Sequence, residues 1–220
     1  MDTRGYGRIP LVLCHWISFL TQALPLRSVL TFLELLIGAL LSRRGLVTEA
    51  WLAVSAQRHW TSYYKWLQQG RWSWVRLGQA LGRLLCSQFA RRVWYWVIDD
   101  SVTCRASSKA PASGYHYNHS HKPNRPAQVQ GQCWVNLSAV LGRGRRVCSA
   151  IPLLWRLQRR GGNTSKLRSA CVLIRALGPV FREVQVWLLL DCWYRRRVVI
   201  EYALSWDVQV IGQVRHDTAL

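Results

Sequence analysis

Acidic side chains are scarce in this chain of 220 residues: 10 Asp and Glu stand against 30 Lys and Arg, a formal charge of +20 with a pI near 10.8. That imbalance argues against an ordinary cytosolic metabolic enzyme and for a polyanionic partner, nucleic acid ahead of a membrane surface. Cys-x-x-Cys pairs are missing. The seven cysteines, at 14, 86, 104, 133, 148, 171 and 192, are odd in number and scattered, which leaves no zinc ribbon or dithiol redox site and reads as reduced, mostly buried thiols. A long uninterrupted apolar run is missing too. The stretch from Ile9 to Leu41 is broken by Pro25, Arg27 and Glu34, so no window of about 18 uncharged apolar residues survives to span a membrane. With no cleavable signal peptide evident, the expected location is the cytoplasm, with no membrane partner.

Half the residues are apolar and 13 are Trp, enough to bury a real core. All but four of the basic residues are arginine, the side chain suited to bidentate phosphate contacts. From 28 to 41, Ser28, Thr31 and Glu34 fall three apart among apolar residues, which predicts a helix buried on most of its circumference. Residues 74 to 89 carry a second stripe, Trp74, Leu77, Leu81, Leu84, Leu85 and Phe89, opposite Arg76, Gln79 and Arg83. Between them, 58–76 interleaves aromatic and basic side chains. Arg58 and Lys65 there are candidates for DNA phosphate contacts; tryptophans in the core with solvated charges around them explain the same pattern.

After Arg92 the period changes to that of strands, so an all-α amino-terminal domain (1–90) is expected to precede a second domain (91–220). The run Val93 to Ile98 is β-branched and aromatic and ends in Asp99-Asp100, a strand. Residues 101–128 read as a long loop. Val129 to Val140 alternates cleanly, a second strand, and Gly142-Arg143-Gly144 turns it into an antiparallel third, Arg146 to Pro152. Asn163 is expected to cap a helix whose stripe is Leu167, Ala170, Cys171, Ile174 and Leu177, ended by Gly178-Pro179. A fourth strand, Val184 to Leu190, runs into Asp191; a helix over about 193–204 and a fifth strand, Val208 to Val214, follow. Three hairpin-connected strands, then helix, strand, helix, strand is the order of an α/β domain of RNase H-like type, a mixed sheet flanked by helices.

In that topology the first and fourth strands are neighbours, so Asp99 and Asp191 converge at one edge of the sheet. Two adjacent carboxylates repel, and burial raises their pKa, which makes a cation the natural neutraliser. Magnesium fits, with its preference for carboxylate, water and phosphate oxygens, and a pair of such ions supports in-line phosphoryl displacement. The plainer alternative is that both acids cap the segments after them.

Several ordered motifs carry a resemblance. W-V-I-D-D-S (96–101), the loop Y-H-Y-N-H-S-H-K-P-N-R-P (115–126) leading into V-Q-G-Q-C-W-V (129–135), L-L-L-D-C-W-Y (188–194) and V-I-G-Q-V-R-H-D-T-A-L (210–220) together resemble the DDE transposases of bacterial insertion sequences, in the branch with a D-x-W-Y motif after the fourth strand. R-H-W-T-S-Y-Y-K-W-L (58–67) is similar to the helical segment before that core. The resemblance implies cleavage of DNA at element ends and strand transfer, by an Asp-Asp-Glu triad holding two Mg2+ (or Mn2+) ions, on double-stranded DNA with terminal inverted repeats, with a homodimer as the expected assembly. By motif Asp99 matches the first carboxylate, with Asp100 beside it the weaker match, and Asp191 the second; Asp99 and Asp191 are then the metal ligands. The third, a Glu on a helix after the fifth strand, has no match before Leu220. Glu201 lies on the intervening helix and reads as a solvated or ion-paired acid, and Asp207 and Asp217 read as turn residues. The chain therefore reads as the amino-terminal part of a transposase, with a protein that only binds DNA as the alternative.

Other constellations are weaker. His116, His119 and His121 with Cys104 match no zinc spacing, and Lys122 and Arg125 in the same loop are candidates for phosphate contact. Cys192 reads as packing rather than as a nucleophile. Arg195, Arg196 and Arg197 after the D-C-W-Y motif read either as a phosphate clamp or as a solvated helix face.

Overall fold

The computed structural model describes residues 10–44, 46–105, 107, 109–117, 126–143, 147–159 and 164–213. The chain divides into two compact units, Met1–Leu84 and Leu85–Leu220. Among the described residues of the first, secondary structure is entirely helical: α1 (Leu11–Thr21), α2 (Leu26–Leu41), α3 (Val47–Ala53), α4 (Trp60–Gln69) and most of α5 (Trp74–Gln88), within which the division falls. No helix among them is long and apolar enough to cross a membrane.

The predicted helix over 28–41 is α2, but its burial runs opposite to the expectation. Ser28, Thr31 and Gly38 are its buried residues, whereas Leu40 and Leu41 are two-thirds exposed. The polar stripe faces inward because it has partners there. Arg58 Nη1 donates to Thr31 Oγ1 at 3.1 Å; Glu34 accepts from the Gln57 backbone amide at 3.0 Å and from the Tyr63 hydroxyl at 2.6 Å. Gly38 lets α3 approach: a Cβ there would lie 2.1 Å from the Ala50 carbonyl oxygen. Tyr63 of α4 is fully buried, and Trp66 stacks on Trp72 with centroids 5.0 Å apart, so part of the aromatic and basic stretch is core, as the plainer reading had it. Of the expected stripe, Leu84 and Leu85 in α5 are buried, but Trp74 and, just past the helix, Phe89 are 40% exposed.

The second unit is built on a sheet that runs β2-β3-β1-β5-β6, with β4 also on β3. The strands are β1 (Val93–Cys104), β2 (Gly114–Tyr117), β3 (Gln128–Arg143), β4 (Val147–Gln158), β5 (Gln185–Leu190) and β6 (Val208–Gly212), with α6 (Lys166–Leu177) between β4 and β5 and α7 (Arg197–Leu204) between β5 and β6. β1 is antiparallel to β3 and parallel to β5, and β5 is parallel to β6. This is the mixed sheet of an RNase H-like α/β fold.

Several boundaries differ from the sequence reading: β3 and β4 pair further at both ends, taking in Gly142 and Arg143 of the expected turn and carrying β4 past Pro152 to Gln158, and four other differences have local reasons. β1 does not end before Asp99 but continues to Cys104, because β3 keeps pairing with it to Cys104↔Gly131. The expected loop over 101–128 therefore begins later, and it also contains β2, four residues paired with the start of β3. α6 is capped by Ser165, whose side chain accepts from the Arg168 amide, while Asn163 lies outside the described residues. The last helix starts at Arg197 rather than near 193, because Asp191 organises a turn before it. Val214 and Arg146, expected strand ends, also lie outside the described residues.

The core of this unit is one face of the sheet. Trp94, Trp96 and Ile98 on β1 and Val186, Leu188 and Leu190 on β5 are buried and stand side by side in register. Phe181 meets both Trp94 and Trp96 edge-on, at 5.5 and 5.1 Å between centroids, contacts that add about 0.5–1.5 kcal/mol each to the area they bury. α6 contributes Ala170, Leu173, Ile174 and Leu177, all fully buried.

Candidate active site

The site follows from the parallel register. The last pair of β1 and β5 is Ile98↔Leu190, and Asp99 and Asp191 are the next residue on each chain. Neighbouring strands lie about 4.8 Å apart, so the register brings the backbones of Asp99 and Asp191 side by side at the carboxyl end of β5, the end where open α/β sheets place their ligands.

Asp99 sits on the more exposed side of β1. The Asp100 amide donates to its Oδ1 at 2.7 Å, and Asn136 Nδ2 to its carbonyl oxygen at 3.1 Å. Burial raises its pKa first, the Asp100 amide opposes this, the charges of Asp100 and Asp191 raise it further, and Lys166 lowers it; the balance is upward. The carboxylate is therefore short of positive charge. Asp191 accepts the amides of Trp193 (3.1 Å) and Tyr194 (2.8 Å), both on Oδ1, so it does cap the turn, as the plainer reading had it. Capping uses one oxygen and fixes the direction of the other.

Asp100 faces the opposite side, continuing the row Trp94, Trp96, Ile98, and is held there by three groups. Lys166 Nζ at the start of α6 donates to Oδ2 at 2.7 Å, Tyr194 OH donates to Oδ1 at 3.0 Å, and Cys133 Sγ donates to Oδ2 at 3.6 Å. Lys166 also lies over the Trp193 ring, 5.3 Å from its centroid. Burial works against the Lys166 charge, but Asp100 outweighs it and the ammonium pKa is raised. Burial drives the Tyr194 hydroxyl up, Asp100 adding to it, and pushes the Cys133 thiol to about 11. Neither ionises near neutrality, so both act as donors, and Cys133 is no nucleophile. Sequence reading missed Lys166 and Tyr194. For Tyr194 the signal was present in the D-C-W-Y motif; Lys166 had none, since its partner is 66 residues away.

The fit to a divalent cation is good in donor type and incomplete in number. Asp99 and Asp191 offer hard oxygens, as magnesium requires, but no group of three His, Cys, Asp or Glu side chains forms a metal cluster among the described residues. Glu201 is paired with Arg197 Nε at 2.6 Å on the exposed side of α7, and Asp207 occupies the turn before β6 with φ of 59°. Asp217 lies outside the described residues.

The basic candidates disperse. Arg195 packs its stem against Gly212, Arg196 is exposed at the start of α7, and Arg197 holds Glu201. Arg58 supports α2, and Lys65 is exposed on α4. His119, His121, Lys122 and Arg125 lie outside the described residues. His116 is on β2, and Cys192 is half-buried.

A family model described as DDE superfamily endonuclease matches residues 21–220. A search of curated proteins finds no match.

Proposed function

Because the chain belongs to the DDE superfamily endonucleases, we propose that it is a transposase of insertion-sequence type, which binds the double-stranded ends of its element and cuts and joins DNA with Mg2+ or Mn2+ held at Asp99 and Asp191. The observation that carries this reading is the Ile98↔Leu190 register, which aligns the two acids of the D-D-S and D-C-W-Y motifs. A divalent ion supplies, when bound, activation of a water or 3′-hydroxyl and neutralisation of the leaving oxygen.

The chain's own residues do the rest. Asp191, with Oδ1 fixed by two amides, presents Oδ2 in a set direction. Asp99, whose burial and neighbours disfavour its charge, gains from a cation. Asp100 is the less suited ligand, because Lys166 and Tyr194 already occupy its oxygens. In this reading residues 1–90 form a DNA-binding domain, where Arg58 and Lys65 meet phosphate, residues 91–220 form the catalytic core, and Arg195 and Arg196 meet phosphate beside the metals. Such proteins act on paired ends, so a homodimer belongs to the same proposal.

A second reading is a DNA-binding protein without cleavage. It is favoured by one observation: among the described residues no glutamate joins the aspartate pair, Glu201 being committed to Arg197.

The test uses the full chain, a supercoiled plasmid carrying the DNA that flanks the gene, and Mg2+ or Mn2+. Nicking that Asp99→Asn and Asp191→Asn abolish without loss of DNA affinity supports catalysis. A parent chain that binds the plasmid and leaves it supercoiled sinks catalysis in favour of the second reading.

A further inference from the structure

Two clefts of about 400 Å3 each meet at Arg71 in the helical unit. One is lined by Arg27, Ser28, Arg58, Trp66 and Gln69; the other, beyond Arg71, by Gln22, Ser73 and Arg76. Among the described residues that line them, every ionisable side chain is an arginine. The four arginines are all exposed, so the two adjoining clefts form a cationic surface suited to anions.

The other groups present are suited to the same ligand. The amino terminus of α2 opens on these clefts through Pro25, Arg27 and Ser28, and no side chain caps it. It presents the positive end of a 16-residue helix. Arg58 is already oriented by Thr31. The nearest acid on these elements, Glu34, is engaged by Gln57 and Tyr63 and lines neither cleft.

We propose that these clefts form a phosphate track that takes consecutive backbone phosphates of DNA, one on each side of Arg71. The ligand is a phosphodiester chain rather than a single ion, because the cationic groups are strung along two cavities instead of closing round one. The inference deepens the DNA-binding part of the function proposed above. It places the sequence-independent contacts on Arg27, which lies outside the 58–76 stretch, and on Arg71 and Arg76 within it.

The test is the salt dependence of binding to a random-sequence duplex, read by fluorescence anisotropy with the full chain. Each lost phosphate contact lowers the slope of log K against log salt by about 0.9. Arg27→Ala, Arg71→Ala and Arg76→Ala are expected each to lower it by about that amount, with Arg71→Lys restoring most of the loss. Circular dichroism melts unchanged from the parent tie the effect to the surface and not to folding. Unchanged slopes in all three variants overturn the track. Displacement of the duplex by inorganic phosphate at millimolar concentration, stronger than that by chloride at equal ionic strength, also overturns it, since that outcome marks a site for the free ion. Nicking and this slope fail separately: a chain that nicks DNA with unchanged slopes refutes the track alone, and one with reduced slopes and no nicking refutes catalysis alone.

Discussion

The hydroxyl of Tyr194 donates to Asp100 Oδ1 at 3.0 Å, tying the turn that Asp191 caps to the strand that carries Asp99. The two candidate metal ligands are thereby linked on the far side of the sheet as well as by the β1–β5 register. Tyr194→Phe removes the link while keeping the ring. It leaves a carboxylate oxygen of Asp100 without its donor, at a cost of about 1–3 kcal/mol, read as a lower urea midpoint. If Tyr194 positions the Asp191 turn, the variant also weakens Mn2+ binding measured by calorimetry; a lower midpoint with unaltered Mn2+ affinity would confine Tyr194 to the fold.

Lys166 is the counter-charge of Asp100, with both side chains partly exposed, at 31% and 20%. Lys166→Met keeps the stem over Trp193 and removes the charge. The cost is expected near 1 kcal/mol, above that of a surface pair and below the 3–5 kcal/mol of a fully buried one. It should vanish when Asp100→Asn is added, since no uncompensated carboxylate then remains. A double-mutant cycle in urea checks this, and strict additivity is the contrary outcome.

Asp99 has a raised pKa, so the folded protein holds that proton more tightly than the unfolded chain. Its contribution to stability is fully present below the unfolded value, near pH 3.9, and is lost as pH rises through the folded value. Above that, the charged carboxylate is a liability that a cation relieves. In chelator, Asp99→Asn is therefore expected to melt slightly higher than the parent at neutral pH, by less than about 1 kcal/mol for a group this exposed, and to converge with it in acid. Adding Mg2+ should raise the melting temperature of the parent only. Asp99→Asn melting lower at neutral pH would contradict the reading.

How far the sequence reveals these features depends on whether a feature is local. The β-branched and aromatic content of 93–98, the alternation in 129–140 and the apolar runs before Asp99 and Asp191 made the strands and the meeting of the two acids legible, since topology follows from element order. The length of β1 was not, because residues 99–104 are held by pairing with β3 rather than by their own pattern. The polarity of α2 misled for a related reason: Ser28, Thr31 and Glu34 mark a distinct stripe, but periodicity does not say whether a stripe faces water or Arg58, Gln57 and Tyr63. The ties of Lys166 and Tyr194 to Asp100 join residues distant in the chain and exist only once the sheet forms.

Gly38 makes the α2–α3 approach testable. Alanine normally stabilises a helix interior by about 1 kcal/mol over glycine. Here the added methyl would meet the Ala50 carbonyl, a backbone atom that cannot swing aside, so Gly38→Ala is expected to destabilise the helical unit by several times that gain. Gly212→Ala meets only the flexible stem of Arg195 and should be far milder. Thermal melts of the two variants decide it, and a Gly38→Ala protein as stable as the parent would mean that α2 and α3 can separate at little cost.

Asp191 can be divided into its two roles by a pair of substitutions. Its Oδ1 accepts the Trp193 and Tyr194 amides, a service that asparagine also performs, since Asn and Asp cap equally well. Alanine cannot, and losing a cap costs about 1 kcal/mol. Asp191→Asn should therefore melt close to the parent and Asp191→Ala below it. Metal binding needs the charge, so both should lose the Mg2+-induced rise in melting temperature and any nicking of plasmid DNA. If Asp191→Asn keeps the Mg2+ response, Asp191 is a turn residue and nothing more, because the one property it has lost is the one a cation requires.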